Sequence, residues 1–429
     1  MSLTVLIAPS GFKECMDAQD VADAMALGVA RAWPDATILK APIADGGEGF
    51  TRSLCEATGG EQHKTVVTGP LGEPIPATVG LLGGCDERTA VLEIAAACGL
   101  SLVPPARRNP SLTTSFGVGE LIRKALDLGA RRILIGCGDS GVNDGGAGLL
   151  QALGAKLLTV DGNDISRGAA GLLQLDRIDL SGLDPRLARV RIDVTVNWHN
   201  ALLGPRGVSR VYGPQKGATP ELVPVLERAL EIFAARVTAA TGIDVGAMPG
   251  SGASGGIGAG LAGCLGAKLH PRYDVVFKHL DLDGLLRRAD LVLTAEGALD
   301  GQTPFGKVPA EIGRRAASHG IPVIALAGTV GAGARSNLSH GISAFGSIQV
   351  APTSLSDAMI NAAQLLADAS EQAIRAVGAG LAISANHRRQ TLGRGTRRSS
   401  RVSKAMESGT ASSQAYYRVR QSRLSQLSV

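Results

Sequence analysis

Aromatic residues are nearly missing from this 429-residue chain, at 3% for Phe, Trp and Tyr together. Valine, isoleucine, leucine and alanine must fill any core, and a hydrophobic content of 45% lets them do so. Paired cysteines are missing too: Cys15, Cys55, Cys85, Cys98, Cys137 and Cys264 stand singly, with no CxxC. That spacing argues against a zinc site or disulfide framework and points to a reducing compartment, the cytoplasm. No apolar run approaches the length of about 18 residues that a membrane span needs. The opening Met1-Ser2-Leu3-Thr4-Val5-Leu6-Ile7 has no basic segment ahead of its short apolar run, so it reads as a strand and not as a signal peptide. A basic body is the last absence. The net charge is +5, but Asn386–Val429 carry ten Lys/Arg against one acid, Glu407. That net of +9 leaves −4 for residues 1–385, which is not the electrostatic footprint of a nucleic-acid binder.

What is present is glycine, 57 residues of it, gathered in short loops and not in one low-complexity tract. The length predicts two domains. Leu3–Ala8 and Thr37–Lys40 read as strands flanking a helix in which Val21, Met25 and Val29 share a face. From about His63 the texture becomes a meander: Thr65–Thr68, Ala77–Leu81 and Ala90–Ile94 are short strands between Gly/Pro turns, with a domain boundary near residue 70. Helices are predicted over Ser115–Leu128, Leu222–Val237 and 356–378, with strands at Arg132–Gly136, Val190–Val196, Leu291–Thr294 and Val323–Ala327. The last two strands restore the rhythm of the N-terminus and are expected to rejoin its sheet. The fold class is α/β: a Rossmann-like parallel-sheet domain of residues 1–70 and 288–380, with a second, mixed-sheet domain, 71–287, inserted into it. The polar tail 386–429 is too poor in apolar residues to offset its ordering entropy and is expected to be disordered.

Several loops carry chemistry. Asp45-Gly46-Gly47-Glu48-Gly49 follows the second strand, and Glu296-Gly297-Ala298-Leu299-Asp300-Gly301 follows Leu291–Thr294. Carboxylates in glycine loops at strand ends suit a magnesium–phosphate ligand, with oxygens for the metal and amides for the anion. The plain alternative is acids favouring a helix N-terminus. Gly136–Gly146 is the densest loop, crowding Gly138, Asp139, Ser140, Asn143 and Asp144 between a strand and a helix. Lys13 after the first strand, Lys216 among turn residues, and Lys307 before Pro309 are candidate anion contacts. The alternative for each is an exposed lysine. Gly250, Gly252 and Gly255 form a G-x-G-x-x-G, followed by Gly256, but no convincing strand precedes it as a dinucleotide fingerprint requires. Small residues there let a helix start approach a phosphate, or simply pack closely. The first expectation is phosphoryl transfer.

In order, Pro9–Lys13, Ala44–Gly49, Thr114–Gly119, Gly138–Gly148, Gly204–Gly217, Pro249–Gly260, Glu296–Gln302 and Ala325–Gly328 resemble the motifs of the bacterial glycerate kinase family, a likeness spanning roughly residues 3–380. The resemblance implies two α/β domains with the site in their cleft, and ATP- and Mg²⁺-dependent phosphorylation of D-glycerate, commonly to 2-phosphoglycerate. Within that frame Asp193, Asp45 or Asp144 accepts the hydroxyl proton, with Asp193 preferred. Glu296, Asp300 and Glu48 hold the metal or its water shell, and Lys13, Lys216 and Lys307 meet phosphates and the acid's carboxylate. Gly138, Ser140, Asn143, Gly250, Gly252, Gly255 and Gly256 line the nucleotide. The chain departs from the family pattern at Ser10-Gly11, at Asp139, across residues 197–201, and at Ala298, where an arginine is usual. These departures bear on the acid substrate more than on the phosphoryl chemistry. A related hydroxy acid, a nicotinamide-dependent dehydrogenase and a nucleic-acid-binding tail are the alternatives; a homo-oligomer is compatible with all of them.

Overall fold

The computed structural model describes residues 3–12, 15–43 and 46–407, with side chains as far as residue 387. β1 (Thr4–Ile7) opens the first sheet, and its Val5, Leu6 and Ile7 are fully buried. A parallel strand covered on both faces shows no polar alternation. The helix Ala18–Ala32, capped by the Asp17 carboxylate on the Asp20 N–H, leads to β2 (Thr37–Lys40). After the helix Phe50–Thr58 the chain leaves this sheet. β3 (Glu61–Thr68), β4 (Pro74–Leu81) and β5 (Thr89–Glu93) form the expected antiparallel meander. β6 (Arg132–Gly136) joins β5 in parallel, and a small pair, β7 (Lys156–Leu158) and β8 (Arg177–Asp179), stands apart. β9 (Arg191–Val196) and β10 (Lys268–Pro271) complete a six-stranded mixed sheet of order β10-β9-β6-β5-β4-β3. β11 (Leu291–Leu299), β12 (Val323–Val330) and β13 (Ala344–Ser347) return to the first sheet, whose five strands run parallel in the order β13-β12-β11-β1-β2.

The sheet memberships move two expected boundaries. All eight residues of β3 pair with β4, so residues 61–68 belong to the second sheet and the crossing precedes residue 70. Tyr273, Val275, Val276 and Phe277 of the helix Arg272–His279 bury into the core of the first sheet, so the return precedes residue 287. Residues 386–407, expected to be disordered, continue the helix Ala362–Glu407. That stretch contains no proline, and its Arg, Gln, Lys and Ala are good helix formers. Residues 408–429 lie outside the described residues.

Two compact units divide the chain, Met1–Glu371 and Gln372–Val429. Both sheets lie in the first unit, and the second holds the later turns of the helix Ala362–Glu407. Each sheet has its own apolar core. The helix Phe50–Thr58 is the wedge between them: Phe50, Leu54 and Cys55 pack in one cluster with Leu6 and Val292 of the first sheet and Val91 and Leu134 of the second. This wedge sets the strand ends of the two sheets against each other. Among the described residues no helix is long and apolar enough to cross a membrane.

Candidate active site

A cleft of about 1630 Å³ opens where the carboxyl ends of the two sheets meet. Ser10 after β1, Glu296 on β11 and Gly328 on β12 form one wall. Gly138, Asp139 and Ser140 after β6, with Asn197 and Asn200 after β9, form the other. Ligands of open α/β sheets collect at such edges.

The acidic glycine loop is built into the second wall. A Cβ on Gly138 would sit 2.6 Å from the Gly47 nitrogen, so only glycine lets the two loops interleave. The Glu48 N–H donates to Asp139 Oδ2 at 3.3 Å, and the Glu48 carboxylate accepts from the Ser101 hydroxyl. The loop's far end is held by Glu93, the last residue of β5. Its carboxylate accepts the Gly49 N–H at 3.1 Å and the Thr51 N–H at 2.8 Å. Gly49 has no side chain with which to cap the helix Phe50–Thr58, and Glu93 supplies the cap from the other sheet. Burial pushes the Glu93 carboxyl above its ordinary range, against the lowering effect of the two amides.

Lys216 is the second feature of this wall. Its side chain is 3% exposed, and its ammonium donates to Ser140 Oγ at 2.9 Å and to the Val142 carbonyl at 2.7 Å. Burial pulls it from the ordinary lysine value to about 8; Cys98 and Asp144 oppose the shift.

On the first wall Glu296 sits beside Lys307. The Lys307 ammonium donates to the Ala298 carbonyl at 3.0 Å and stands 3.8 Å from Glu296 Oε1 and 3.6 Å from Asp300 Oδ1. Arg272 and Tyr273, directly after β10, also line the cleft, and both donate to the Gly306 carbonyl, at 2.7 and 2.8 Å. Neither was expected from the sequence. The signal was available, since Arg272 directly follows a strand. Glu93 was also missed, although a single acid inside Val91-Leu92-Glu93-Ile94-Ala95 is conspicuous.

Of the expected residues, Glu48, Gly138, Ser140, Lys216, Gly255, Glu296 and Lys307 line the cleft. Lys13 and Asp45 lie outside the described residues. The others sit elsewhere. Asp193, the preferred proton acceptor, does not line the cleft. Its side chain is 4% exposed and held by Arg132 Nε at 2.6 Å, His270 Nε2 at 2.7 Å and Arg191 Nε at 3.3 Å. Burial raises its pKa, but the hydrogen bonds from His270 and Arg132 outweigh this and hold it below the ordinary range. Asp193 is an ion-cluster residue within β9. Asp144 is fully buried and accepts from the Ser115 N–H and hydroxyl at 2.8 and 2.9 Å and from the Gly146 and Gly148 N–H groups at 3.2 and 3.3 Å. It ties the loop to the preceding helix and faces no ligand space. Asn143 donates to Ser209 Oγ in the same buried layer. The Asp300 carboxylate accepts from the Gln302 N–H and shapes its own turn. Gly250, Gly252 and Gly256 pack against Val196, Ala201 and Gly145, and only Gly255 reaches the cleft. Ser254, Gly255 and Gly256 all have positive φ, so the expected helix start at this point is a left-handed turn. A Cβ on Gly255 would collide with the Val142 carbonyl.

Among the described residues no group of three or more His, Cys, Asp or Glu gathers as a ready-made metal cage. The cleft still offers Glu48, Asp139 and Glu296, an oxygen-only donor set. This fits Mg²⁺, which is usually bound by one or two carboxylates with waters and phosphate oxygens completing its octahedron.

Comparison with known proteins gives a consistent picture. The model of the glycerate kinase family matches residues 5–378. A glycerate kinase of Bacillus subtilis (strain 168) is 44% identical over 364 residues, covering 85% of this chain and 95% of the relative. A glycerate 2-kinase of Escherichia coli (strain K12) is 42% identical over 381 residues, covering 89% and 98%. The crystal structure of a glycerate kinase 2 from Salmonella typhimurium LT2 superposes with a TM-score of 0.74 at 44% identity, covering 89% of this chain and 99% of that one.

Proposed function

The chain belongs to the glycerate kinase family, phosphotransferases with an alcohol group as acceptor, and from that premise we propose that it transfers the γ-phosphoryl group of Mg²⁺·ATP to the 2-hydroxyl of D-glycerate. The observation that carries this reading is the pairing of charges across one cleft. Lys307 and Glu296 lie on the first wall, joined by Arg272, which follows β10 of the second sheet but bonds to Gly306. Lys216 and Asp139 lie on the second wall, joined by Glu48, which follows β2 of the first sheet but bonds to Asp139. A small anionic acid and a polyphosphate both need such cations, and a divalent ion needs such carboxylates.

In this assignment the nucleotide lies along the first sheet, with Lys307 and Arg272 on its phosphates. Glu296 would hold Mg²⁺, which neutralises phosphate charge when bound. The glycerate carboxylate meets Lys216, and the amides of Asn197 and Asn200 are at hand for its hydroxyls. Transfer proceeds through a loose transition state, so positioning and charge neutralisation count for more than covalent assistance. The hydroxyl proton goes to a carboxylate of the second wall. With Asp144 and Asp193 turned away, Asp139 and Glu48 are the described acids that can take it. The six free thiols suit a reducing, cytoplasmic location.

The test is a coupled ADP assay over a panel of small hydroxy acids, with NMR identification of the product. We expect Mg²⁺-dependent turnover with D-glycerate and a phosphate on carbon 2. Turnover confined to another acid, or a phosphate on carbon 3, would overturn the corresponding part of the assignment.

A further inference from the structure

The cleft's remaining wall is unlike the other two. It is the segment between β13 and the helix Ala362–Glu407, and its cleft-lining residues include Ile348, Val350, Ala351, Leu355, Ala358 and Met359. Val350 and Leu355 are 86% and 78% exposed, although large apolar side chains at the mouth of a charged cleft have no folding reason to be so. The backbone is also unusual. Among the described residues, the N–H groups of Val350, Ala351 and Thr353 have no protein acceptor, while the neighbouring Gln349 N–H is taken by Ser347 Oγ. The irregular residues 348–354 carry the free peptide groups, and the short helix Leu355–Ile360 that follows carries Leu355, Ala358 and Met359. Together this strip presents surface for a flat ring, and donors and acceptors for its edge.

The strip's distance from the charged floor follows from strand register. The Ile348 N–H donates to the Ala327 carbonyl at 2.9 Å, and Ala327 is the β12 partner of Glu296 on β11. Ile348 therefore lies two strand spacings, roughly 10 Å, from Glu296. A ribose and the first phosphate fill such a span.

We propose that this strip is the subsite for the nucleotide's purine base. Apolar contact comes from Val350, Leu355, Ala358 and Met359, and the ring edge is read by the peptide groups of residues 350–353. The proposal rests on the kinase reading above and deepens it. It orders the cleft as base strip, phosphate and metal floor at Glu296, Lys307 and Arg272, then acid pocket at Lys216. Apolar contact alone discriminates weakly between purines, whereas unpaired peptide groups meeting the wrong edge do so strongly. The strip should therefore prefer one purine over the other.

The experiment compares wild type, Leu355→Ser and Ala358→Trp. Both positions lie outside the charged machinery and neither is buried, so the fold is not at risk. Loss of the Leu355 contact should raise KM for ATP about tenfold, and the indole of Ala358→Trp should raise it further by filling the subsite. KM for D-glycerate and kcat at saturating ATP should stay within twofold. Binding of inorganic tripolyphosphate, which has no base, should be unchanged in both variants, while ADP binding weakens in step with KM. Unchanged KM for ATP in both variants, with active wild type, would overturn the base subsite and leave the kinase reading standing. Parallel weakening of tripolyphosphate and ADP would also overturn it, by showing that the strip acts on phosphates. An inactive wild type with every nucleotide would instead sink the kinase reading itself.

Discussion

Replacing Lys216 with methionine tests the electrostatics of the cleft most directly, because stability and activity should move in opposite directions. The Lys216 ammonium is buried with two neutral partners, the Ser140 hydroxyl and the Val142 carbonyl. Burial lowers its pKa from an ordinary 10.5 to about 8. A shift of that size corresponds to roughly 3 kcal/mol, at about 1.4 kcal/mol per unit, and this is the cost of keeping the amine charged in the folded protein at neutral pH. The sign follows from proton binding. Between pH 8 and 10.5 the unfolded chain holds the proton and the folded protein does not, so stability rises with pH across that window and the penalty is complete below it. Methionine keeps the length and removes the charge, but it abandons the two acceptors at a cost of about 1–2 kcal/mol. The net expectation is a gain of about 1–2 kcal/mol at pH 7 that turns into a loss of about 1–2 kcal/mol by pH 10.5, together with loss of turnover. Urea midpoints of the two proteins at pH 7 and pH 10, beside the coupled ADP assay, measure both. A variant destabilised at pH 7, or a stability gap that does not change with pH, would refute the account of Lys216 as a charge held at the fold's expense. Retained turnover would remove it from the site.

Three further expectations follow from the same contacts. Glu93→Ala strips the cap from the helix Phe50–Thr58 and leaves the part-buried Gly49 and Thr51 N–H groups unpaired. It should cost roughly 2–4 kcal/mol and lower kcat/KM at least tenfold by loosening the Glu48 loop; Glu93→Gln, which keeps one acceptor, should recover part of both losses in urea titrations and steady-state kinetics. Asp193→Asn should keep turnover within about threefold while lowering the thermal midpoint. Because the Asp193 pKa is depressed in the fold, its stabilisation is present above pH 4 and lost as pH falls through the folded value, so the two proteins should converge in acid. Asp139 holds φ at +49°, a conformation disfavoured by about 1 kcal/mol for a residue with a side chain. Asp139→Gly should therefore raise or maintain the melting temperature while altering KM for the acid substrate, and an unchanged KM would remove Asp139 from the acid pocket.

Local patterns carried much of this protein in its sequence. Buried parallel strands announce themselves as short runs such as Val5-Leu6-Ile7, and glycine loops at strand ends announce the places where backbone and ligand approach. Hence the strands, the return of β11 to the first sheet, and the concentration of Glu48, Ser140, Lys216, Glu296 and Lys307 at one edge were all readable. Periodicity and turn chemistry act over a few residues, and a few residues are enough to read them. Which acid faces the ligand was not decided at that range. Asp144 turns to Ser115, 29 residues earlier, and Asp193 to Arg132 and His270, 61 and 77 residues away. Asp139 stays at the cleft, where its carboxylate accepts the N–H of Glu48, 91 residues earlier. Glu93 works on a helix from the other sheet and therefore looked like an ordinary strand residue. A carboxylate's role depends on what lies opposite it after folding, and only the packing of distant segments determines that.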